Sequence, residues 1–141
     1  IYSSTKMVSQ KELIAVTFAV LLTAGALFLI APEAPEANLK KDLKCVARST
    51  MIARGQNWVD KHVPYNQQGS YDGYRTDCSG FVSMCWELAR PGLTTFTMHT
   101  VAHNIEKGAL APGDAMNCDS RHIVLFAGWT DGSQSKYVAM E

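Results

Sequence analysis

Hydrophobic residues are distributed unevenly along the chain, and the longest apolar stretch lies near its N-terminus. Residues 13–31 carry no charged side chain. A stretch of this length is typical of a helix that crosses a bilayer, and it is equally typical of a long signal peptide. We therefore assign residues 1–31 to a signal peptide or membrane anchor. Both alternatives predict that the rest of the chain is exported, as a secreted or membrane-anchored, extracytoplasmic protein.

A short polar segment separates this stretch from the remainder of the chain. Residues 32–38 have the sequence P-E-A-P-E-A-N. A segment of Pro, Ala and Glu favours an extended, solvated spacer over a packed element. The folded domain is therefore predicted to occupy residues 39–141.

The first part of this domain shows apolar residues at helical spacing. In residues 39–62 these positions alternate with Lys and Arg, which predicts a helix. Gly55 leaves open a division into two shorter helices. The helix is predicted to end near Val63, because a proline at position 64 disfavours helical backbone in the residue before it. Residues 66–76 are rich in Gly, Gln, Tyr and Asp and are predicted to form a loop.

A second helix is predicted to begin directly after Asp77. Aspartate is a good N-cap, since its carboxylate can accept hydrogen bonds from the free amides of the first turn. Pro91 and Gly92 are predicted to end this helix. Residues 94–103 are rich in Thr and favour no one element. The predicted apolar face comprises Cys78, Phe81, Val82, Cys85, Leu88 and Ala89.

The C-terminal part of the chain predicts β-structure. Residues 110–114 form a turn signal, and residues 122–127 are a continuous run of apolar β-formers, which predicts a buried strand. Residues 131–133 predict a hairpin turn, and residues 137–140 predict the answering strand. The chain stops at Glu141 in or just after that strand, so we expect the domain to be truncated at its C-terminus. The predicted fold class is α+β.

Composition narrows the possible functions. The 141 residues suggest one folded domain, and 13 basic residues are balanced by 13 acidic ones. This balance argues against a nucleic-acid partner. The four cysteines include no C-x-x-C pair, which argues against a zinc ribbon or a thioredoxin-type motif. Two disulfides are possible by number, but the spacing does not indicate them.

Cys78 occupies the position where a cysteine is most easily made reactive. A thiolate is the nucleophile, and the free amides and dipole of a helix N-terminus favour the anion. The amide of Cys78 could also contribute to an oxyanion hole, and Gly80 allows a close backbone approach. Cys85 lies within the same predicted helix and is expected to be a core residue. Cys45 and Cys118 are expected to be structural.

A catalytic cysteine needs a general base, and the chain has four histidines. His122 opens the predicted buried strand, whereas His62 lies at a helix end before proline. His99 and His103 form an H-x-x-x-H pair, which would share one face of a helix and could bind a metal. The pair has neither the glutamate of the zinc-peptidase motif nor a clear third ligand, so we predict no metal site.

Three motifs together resemble the NlpC-type cell-wall peptidases, which are papain-like cysteine peptidases. They are D-C-S-G-F-V at residues 77–82, L-A-P-G-D at residues 110–114, and His122 at the start of a hydrophobic strand. Val63-Pro64-Tyr65 is similar to the Pro-Tyr element that precedes the cysteine in this family. The resemblance implies N-terminal helices packed on an antiparallel sheet, without a cofactor.

The resemblance also implies roles for individual residues. Cys78 would attack an amide carbonyl, His122 would transfer the proton, and Glu141 would be the polar residue that orients the histidine. The substrate-binding positions would be Tyr65, Asp77 and Ser79.

The implied substrate is a stem peptide of peptidoglycan, cleaved between a D-glutamyl residue and a diamino acid. We expect a monomer that contacts a membrane, if at all, through residues 13–31. Two departures from the family pattern concern the substrate: N-Q-Q-G at residues 66–69 replaces the usual Trp-Gly-Gly, and Val124 replaces a glycine. An amidase or acyltransferase with the same Cys-His pair, and a non-catalytic wall-binding domain, are the alternatives.

Overall fold

The computed structural model describes residues 3–7 and 45–141. The elements given below belong to one compact unit, which includes residues 3–7 and 46–141. The predicted signal or anchor stretch at residues 13–31 and the linker at residues 32–38 lie outside the described residues. Within the described ranges, no helix is both long enough and apolar enough to cross a membrane.

The described elements comprise helices and strands in a mixed order. The helices are α1 (Arg48–Asp60) and α2 (Cys78–Cys85), with short 3-10 turns at Met98–Thr100 and Lys107–Ala109. The strands are β1 (Ser3–Met7), β2 (Asn66–Tyr71), β3 (Tyr74–Thr76), β4 (Ala102–Ile105), β5 (Ala115–Cys118), β6 (His122–Trp129) and β7 (Tyr137–Met140). This content agrees with the predicted α+β class.

Helix α1 is continuous through Gly55, so the alternative of two shorter helices is wrong. A Cβ at Gly55 would lie 3.2 Å from the side chains of Phe81 and Met140 and 3.3 Å from that of Cys85. The glycine therefore lets α1 pack closely against α2 and the end of β7. This packing offsets the low helix propensity of glycine. The described helix is shorter than the predicted span, since residues 45–47 are not helical.

Strands β2 and β3 form an antiparallel hairpin, so the loop predicted for residues 66–76 is wrong. Asp72 and Gly73 join the strands, and both have positive φ, 51° and 79°. Positive φ at both central residues is typical of the type I′ turn, which an Asp-Gly pair favours. Because β2 is almost entirely exposed, its side chains show none of the apolar alternation by which a strand is recognised.

Helix α2 begins where the sequence predicts and ends earlier. Asp77 is the N-cap, and its carboxylate accepts a 2.6 Å hydrogen bond from the amide of Gly80. Trp86 caps the C-terminus, so the predicted extension to Pro91 and Gly92 is wrong. All eight residues of α2 are buried. The helix contacts α1, β3 and β6, which explains why it has no exposed face.

The larger sheet has the strand order β4-β1-β5-β6-β7, with antiparallel pairing between neighbours. The predicted hairpin of residues 122–127 and 137–140 is confirmed as β6 and β7, with β6 extending to Trp129. The sequence predicted no strand in residues 3–7, yet the backbone of β1 pairs with β4 and β5. Strand β1 therefore lies outside the predicted domain range of residues 39–141.

The predicted turn at residues 110–114 is fixed by a buried carboxylate. Asp114 has a side chain only 1% exposed, and its Oδ1 accepts from Nη2 of Arg48 at 2.8 Å. Its Oδ2 accepts from the amide of Ala111 at 2.9 Å. Arg48 Nη1 also donates to the carbonyl of Pro112 at 2.8 Å, and Trp86 Nε1 donates to a neighbouring carbonyl at 2.8 Å. These bonds connect the start of α1 and the end of α2 to the turn before β5.

Candidate active site

Cys78 is the first residue of α2 and is 7% exposed. The site lies against β3, since a Cβ on Gly80 would lie 2.1 Å from the carbonyl oxygen of Arg75. Only glycine allows the first turn of α2 to approach β3 this closely. The thiol of Cys78 is therefore held at a helix N-terminus whose backbone position is closely constrained.

The other cysteines differ from Cys78 in their surroundings. All four are free thiols. Cys85 is fully buried, and desolvation by burial raises its pKa to about 12 despite the opposing charge of Arg54. Cys85 is therefore a neutral thiol near pH 7, as expected of a core residue. Cys45 is exposed and Cys118 is half-buried, and neither begins a helix.

His122, the first residue of β6, forms a hydrogen bond with Glu141, the residue after β7. The bond joins Nε2 of the imidazole to Oε2 of the carboxylate. An ionised carboxylate only accepts hydrogen bonds, so Nε2 must carry the proton. Nδ1 is then the ring nitrogen that remains to accept a proton in the neutral imidazole. The pair is accessible, with side chains 39% and 59% exposed.

A small cavity is lined both by Glu141 and by residues at the N-terminal end of α2. Its volume is about 50 Å³. The cavity is lined by three predicted site residues, Tyr65, Asp77 and Glu141. The other residues that line it are Trp58, Val59, Val63, Thr76 and Phe81. Three of the predicted site residues thus meet in one cavity, although they come from separate parts of the sequence.

The elements that carry Cys78 and His122 pack against each other, and the two side chains form no direct bond. Helix α2 contacts β6. Among the residues that the structure describes, no hydrogen bond joins the two side chains. Catalytic hydrogen bonds are often long before substrate binds, so this geometry is compatible with a nucleophile and its base.

Asp77 is a half-buried anion with most of its acceptor positions occupied. Oδ1 accepts from the amide of Gly80 and from the hydroxyl of Ser79 at 3.1 Å, and Oδ2 accepts from Nε of Arg75 at 2.8 Å. Burial by itself would raise the pKa of Asp77. The hydrogen bonds from Arg75, Gly80 and Ser79, with the charge of Arg75, outweigh burial and lower that pKa. Asp77 is therefore ionised near pH 7.

The remaining predicted substrate-binding residues differ in accessibility. Tyr65 is 59% exposed and lies on the wall of the cavity. Ser79 is only 4% exposed. The Ser79 hydroxyl donates to Asp77 and accepts from Nη2 of Arg75 at 3.0 Å, so it faces the interior network.

Arg75 is a site residue that sequence reasoning missed. It lies in β3 and forms an ion pair with Asp77 while it also bonds Ser79. Residues two apart in an extended segment point to the same side, so the R-T-D sequence at residues 75–77 was a usable signal. Its other partners, the carbonyls of Gly92 and Leu93, are distant in sequence.

The H-x-x-x-H pair does not share a helix face. His99 lies in the 3-10 turn and its Nδ1 bonds the carbonyl of Phe96 at 2.7 Å, whereas His103 lies in β4. In residues 3–7 and 45–141, no group of three or more His, Cys, Asp or Glu side chains is arranged to hold a metal ion.

Comparisons of this chain with protein-family models, with curated proteins and with solved structures gave no match.

Proposed function

We propose that this protein is a cysteine hydrolase that cleaves amide bonds in cell-wall peptides through a thioester on Cys78. The observation that supports the proposal most strongly is the bond between His122 and Glu141 beside the cavity that Asp77 also lines. A bonded imidazole and carboxylate, the imidazole carried by a strand that packs against the helix with Cys78 at its N-terminus, supply the base and the orienting group that a nucleophilic cysteine needs. The fold proposed for it is the NlpC-type, papain-like arrangement.

The proposed reaction has two steps. Nδ1 of His122 takes the thiol proton, and Sγ of Cys78 attacks the amide carbonyl. The backbone amide of Cys78 stabilises the developing oxyanion. When the C–N bond breaks, the imidazolium gives its proton to the leaving amine and a thioester remains. Water then adds to the thioester with His122 as base, which releases the carboxylate product and restores the thiol.

Glu141 has an electrostatic role in this scheme. Its carboxylate holds Nε2 of His122 and stabilises the imidazolium that forms when the thiol is deprotonated. In this scheme the Nε2 proton stays on the imidazole throughout, and the carboxylate only accepts its hydrogen bond. Glu141 thus orients the base.

The proposed substrate is a short peptide with a free amine. Asp77 and Glu141 place two carboxylates in one small cavity, with the phenol of Tyr65 at its wall. Such a cavity favours an ammonium group over a neutral or anionic one. A peptidoglycan stem peptide cleaved between D-glutamyl and a diamino acid meets this requirement. We propose that the protein acts outside the cytoplasm, exported through residues 13–31, as a monomer without cofactor or nucleic acid.

Hydrolysis of defined wall peptides tests this proposal. The full chain, its Cys78→Ala variant and a control variant at an exposed thiol, Cys45→Ala, are incubated with a tripeptide that contains a γ-D-glutamyl–diamino acid bond. Mass spectrometry identifies the products. We expect cleavage by the wild type and by Cys45→Ala, and none by Cys78→Ala. Cleavage by Cys78→Ala would disprove the role of the nucleophile, and binding without any cleavage would favour a wall-binding domain.

A further inference from the structure

We propose that Arg75 is a positioning residue that holds Asp77 with one unshared acceptor position facing the substrate amine. The proposal rests on the proposed function, because it concerns the amine site of that reaction. It extends that function by naming which atom of Asp77 receives the amine and which residue selects that atom.

The guanidinium of Arg75 is almost fully occupied by protein partners. Nε donates to Asp77, and Nη2 donates to Ser79 and to the carbonyl of Leu93 at 2.7 Å. Nη1 donates to the carbonyl of Gly92 at 2.8 Å. Four of its five N–H groups are therefore used. Arg75 has little capacity left to bind a substrate directly, so its influence passes through Asp77.

The hydrogen bonds that Asp77 accepts leave one acceptor position of its carboxylate unoccupied. A carboxylate offers about four acceptor positions. Gly80 and Ser79 use both positions of Oδ1, and Arg75 uses one of Oδ2. The remaining position is on Oδ2. A substrate ammonium can therefore form one charge-assisted hydrogen bond with Asp77, and its other donors are left for the groups that line the same cavity.

Ser79 belongs to the same positioning network. Its hydroxyl donates to Oδ1 of Asp77 and accepts from Arg75, and the side chain is buried. The substrate-binding role implied for Ser79 is thus replaced, in this proposal, by an indirect one. Ser79 fills the second position of Oδ1 and directs the amine to Oδ2.

Lysine cannot make all of these contacts. A lysine variant therefore tests the geometry of Arg75 separately from its charge. The planar guanidinium reaches Asp77, Ser79 and two carbonyls at once, whereas an ammonium is a single point with three donors. Arg75→Lys retains the positive charge beside Asp77 and loses the planar guanidinium that bonds several partners at once. Arg75→Gln loses both.

The charged and titratable groups around Asp77 come from several elements. They are Arg75 on β3, the thiol of Cys78 on α2, the phenol of Tyr65, and Glu141 with the bonded His122. Removing Arg75 removes the main group that lowers the pKa of Asp77, so this carboxyl becomes protonated at a higher pH. The acid limb of kcat/KM for an amine-bearing substrate is therefore expected to move to higher pH in Arg75→Gln.

The test uses two peptides that are identical except that one has a free N-terminal amine and the other is N-acetylated. Kinetics are compared for the wild type, Arg75→Gln, Arg75→Lys and a control, Arg90→Gln, which removes an exposed arginine paired with Asp72. We expect Arg75→Gln to raise KM for the free-amine peptide and to reduce the preference for it by about 10-fold, with kcat little changed. Arg75→Lys should recover only part of the preference, and Arg90→Gln should match the wild type.

A second variant guards against loss of folding. Asp77→Asn keeps an N-cap side chain and removes the charge. It should lose the preference for the free amine, and adding Arg75→Gln to it should have little further effect on that preference. Arg75→Gln with the wild-type preference and pH profile would overturn the proposal. So would fully additive effects of the two substitutions.

One measurement does not depend on catalysis. The amide of Gly80 donates to Asp77, so its hydrogen exchange reports the orientation of that carboxylate. We expect this exchange to be at least about 10-fold faster in Arg75→Gln and unchanged in Arg90→Gln. Unchanged exchange in Arg75→Gln would overturn the role of Arg75, whether or not the protein cleaves peptides. Absence of cleavage by the wild type would instead refute the proposed function alone.

Discussion

The imidazole of His122 is bonded to the carboxylate of Glu141, and this bond joins the start of β6 to the residue that follows β7. The two strands are neighbours in the sheet, so their pairing determines whether the two side chains meet. A histidine held by a carboxylate has a defined proton position, which a free surface histidine lacks. The bond is therefore the feature that most clearly distinguishes His122 from the other three histidines.

Replacement of Glu141 is expected to lower the rate of the chemical step. In Glu141→Ala the imidazolium loses its stabilising charge, so kcat should fall by about 10- to 100-fold with little change in protein stability. Glu141→Gln should retain part of the orientation and have a smaller effect. Steady-state kinetics with the free-amine peptide measure both, with the exposed Glu106→Gln as control. Wild-type kcat in Glu141→Ala would remove Glu141 from the mechanism.

The N-cap of α2 should contribute to stability in a manner that depends on pH. The pKa of Asp77 is lowered in the folded protein, so the unfolded chain takes up the proton first as pH falls. The stabilisation is complete above the ordinary carboxyl pKa of about 3.9 and is lost as pH falls through the lower folded value. Urea unfolding of the wild type and Asp77→Ala should differ by about 1 kcal/mol at pH 7. The difference should shrink below about pH 4, and a constant difference down to pH 2 would contradict the assignment.

The ion pair of Arg48 and Asp114 should contribute more to the free energy of unfolding than an exposed pair does. Asp114 is buried, so Arg48→Ala leaves an uncompensated carboxylate and should reduce the free energy of unfolding by about 3 kcal/mol. Arg90 and Asp72 have side chains 59% and 65% exposed, and Arg90→Ala should cost at most about 1 kcal/mol. Equal losses in urea unfolding would show that the bond from Arg48 to the buried carboxylate of Asp114 is not the main anchor of this turn.

The four thiols should differ in their reactivity toward iodoacetamide. Cys85 is fully buried and its pKa is raised to about 12, so it should remain unmodified at pH 8 until the protein unfolds. Cys45 is exposed and should react readily. Peptide mapping by mass spectrometry, with and without urea, identifies the modified positions. Rapid modification of Cys85 in the folded protein would contradict its place in the core.

The sequence predicted those parts of the fold whose signals are local. The N-cap at Asp77 and the apolar run of β6 are visible in a few residues, and both are present in the structure. The β2–β3 hairpin was missed because its first strand is exposed, although the Asp72-Gly73 pair at its turn was a usable signal. Helix α2 was predicted too long, because Leu88 and Ala89 continue its apolar spacing beyond the last helical residue.

The candidate site was predictable in its residues more than in its contacts. Cys78 and His122 were predicted as site residues from the capped helix and the buried strand, together with family resemblance, and those roles stay predictions. The contact between His122 and Glu141 depends on the register of two strands, and its catalytic role stays a prediction. The pairing of Arg75 with Asp77 had a local signal in the R-T-D sequence, but its bonds to two backbone carbonyls 17 and 18 residues away had none.

Direct detection of the thioester tests the central claim most closely. The full chain is mixed with excess free-amine peptide, quenched in acid within the first turnovers, and analysed by intact-protein and peptide mass spectrometry. The proposed mechanism predicts an increase in mass equal to the acyl part of the peptide, located on Cys78 and absent from Cys78→Ala. Peptide cleavage by a chain that never carries an acyl group on Cys78, or that carries it on another residue, would contradict the claim.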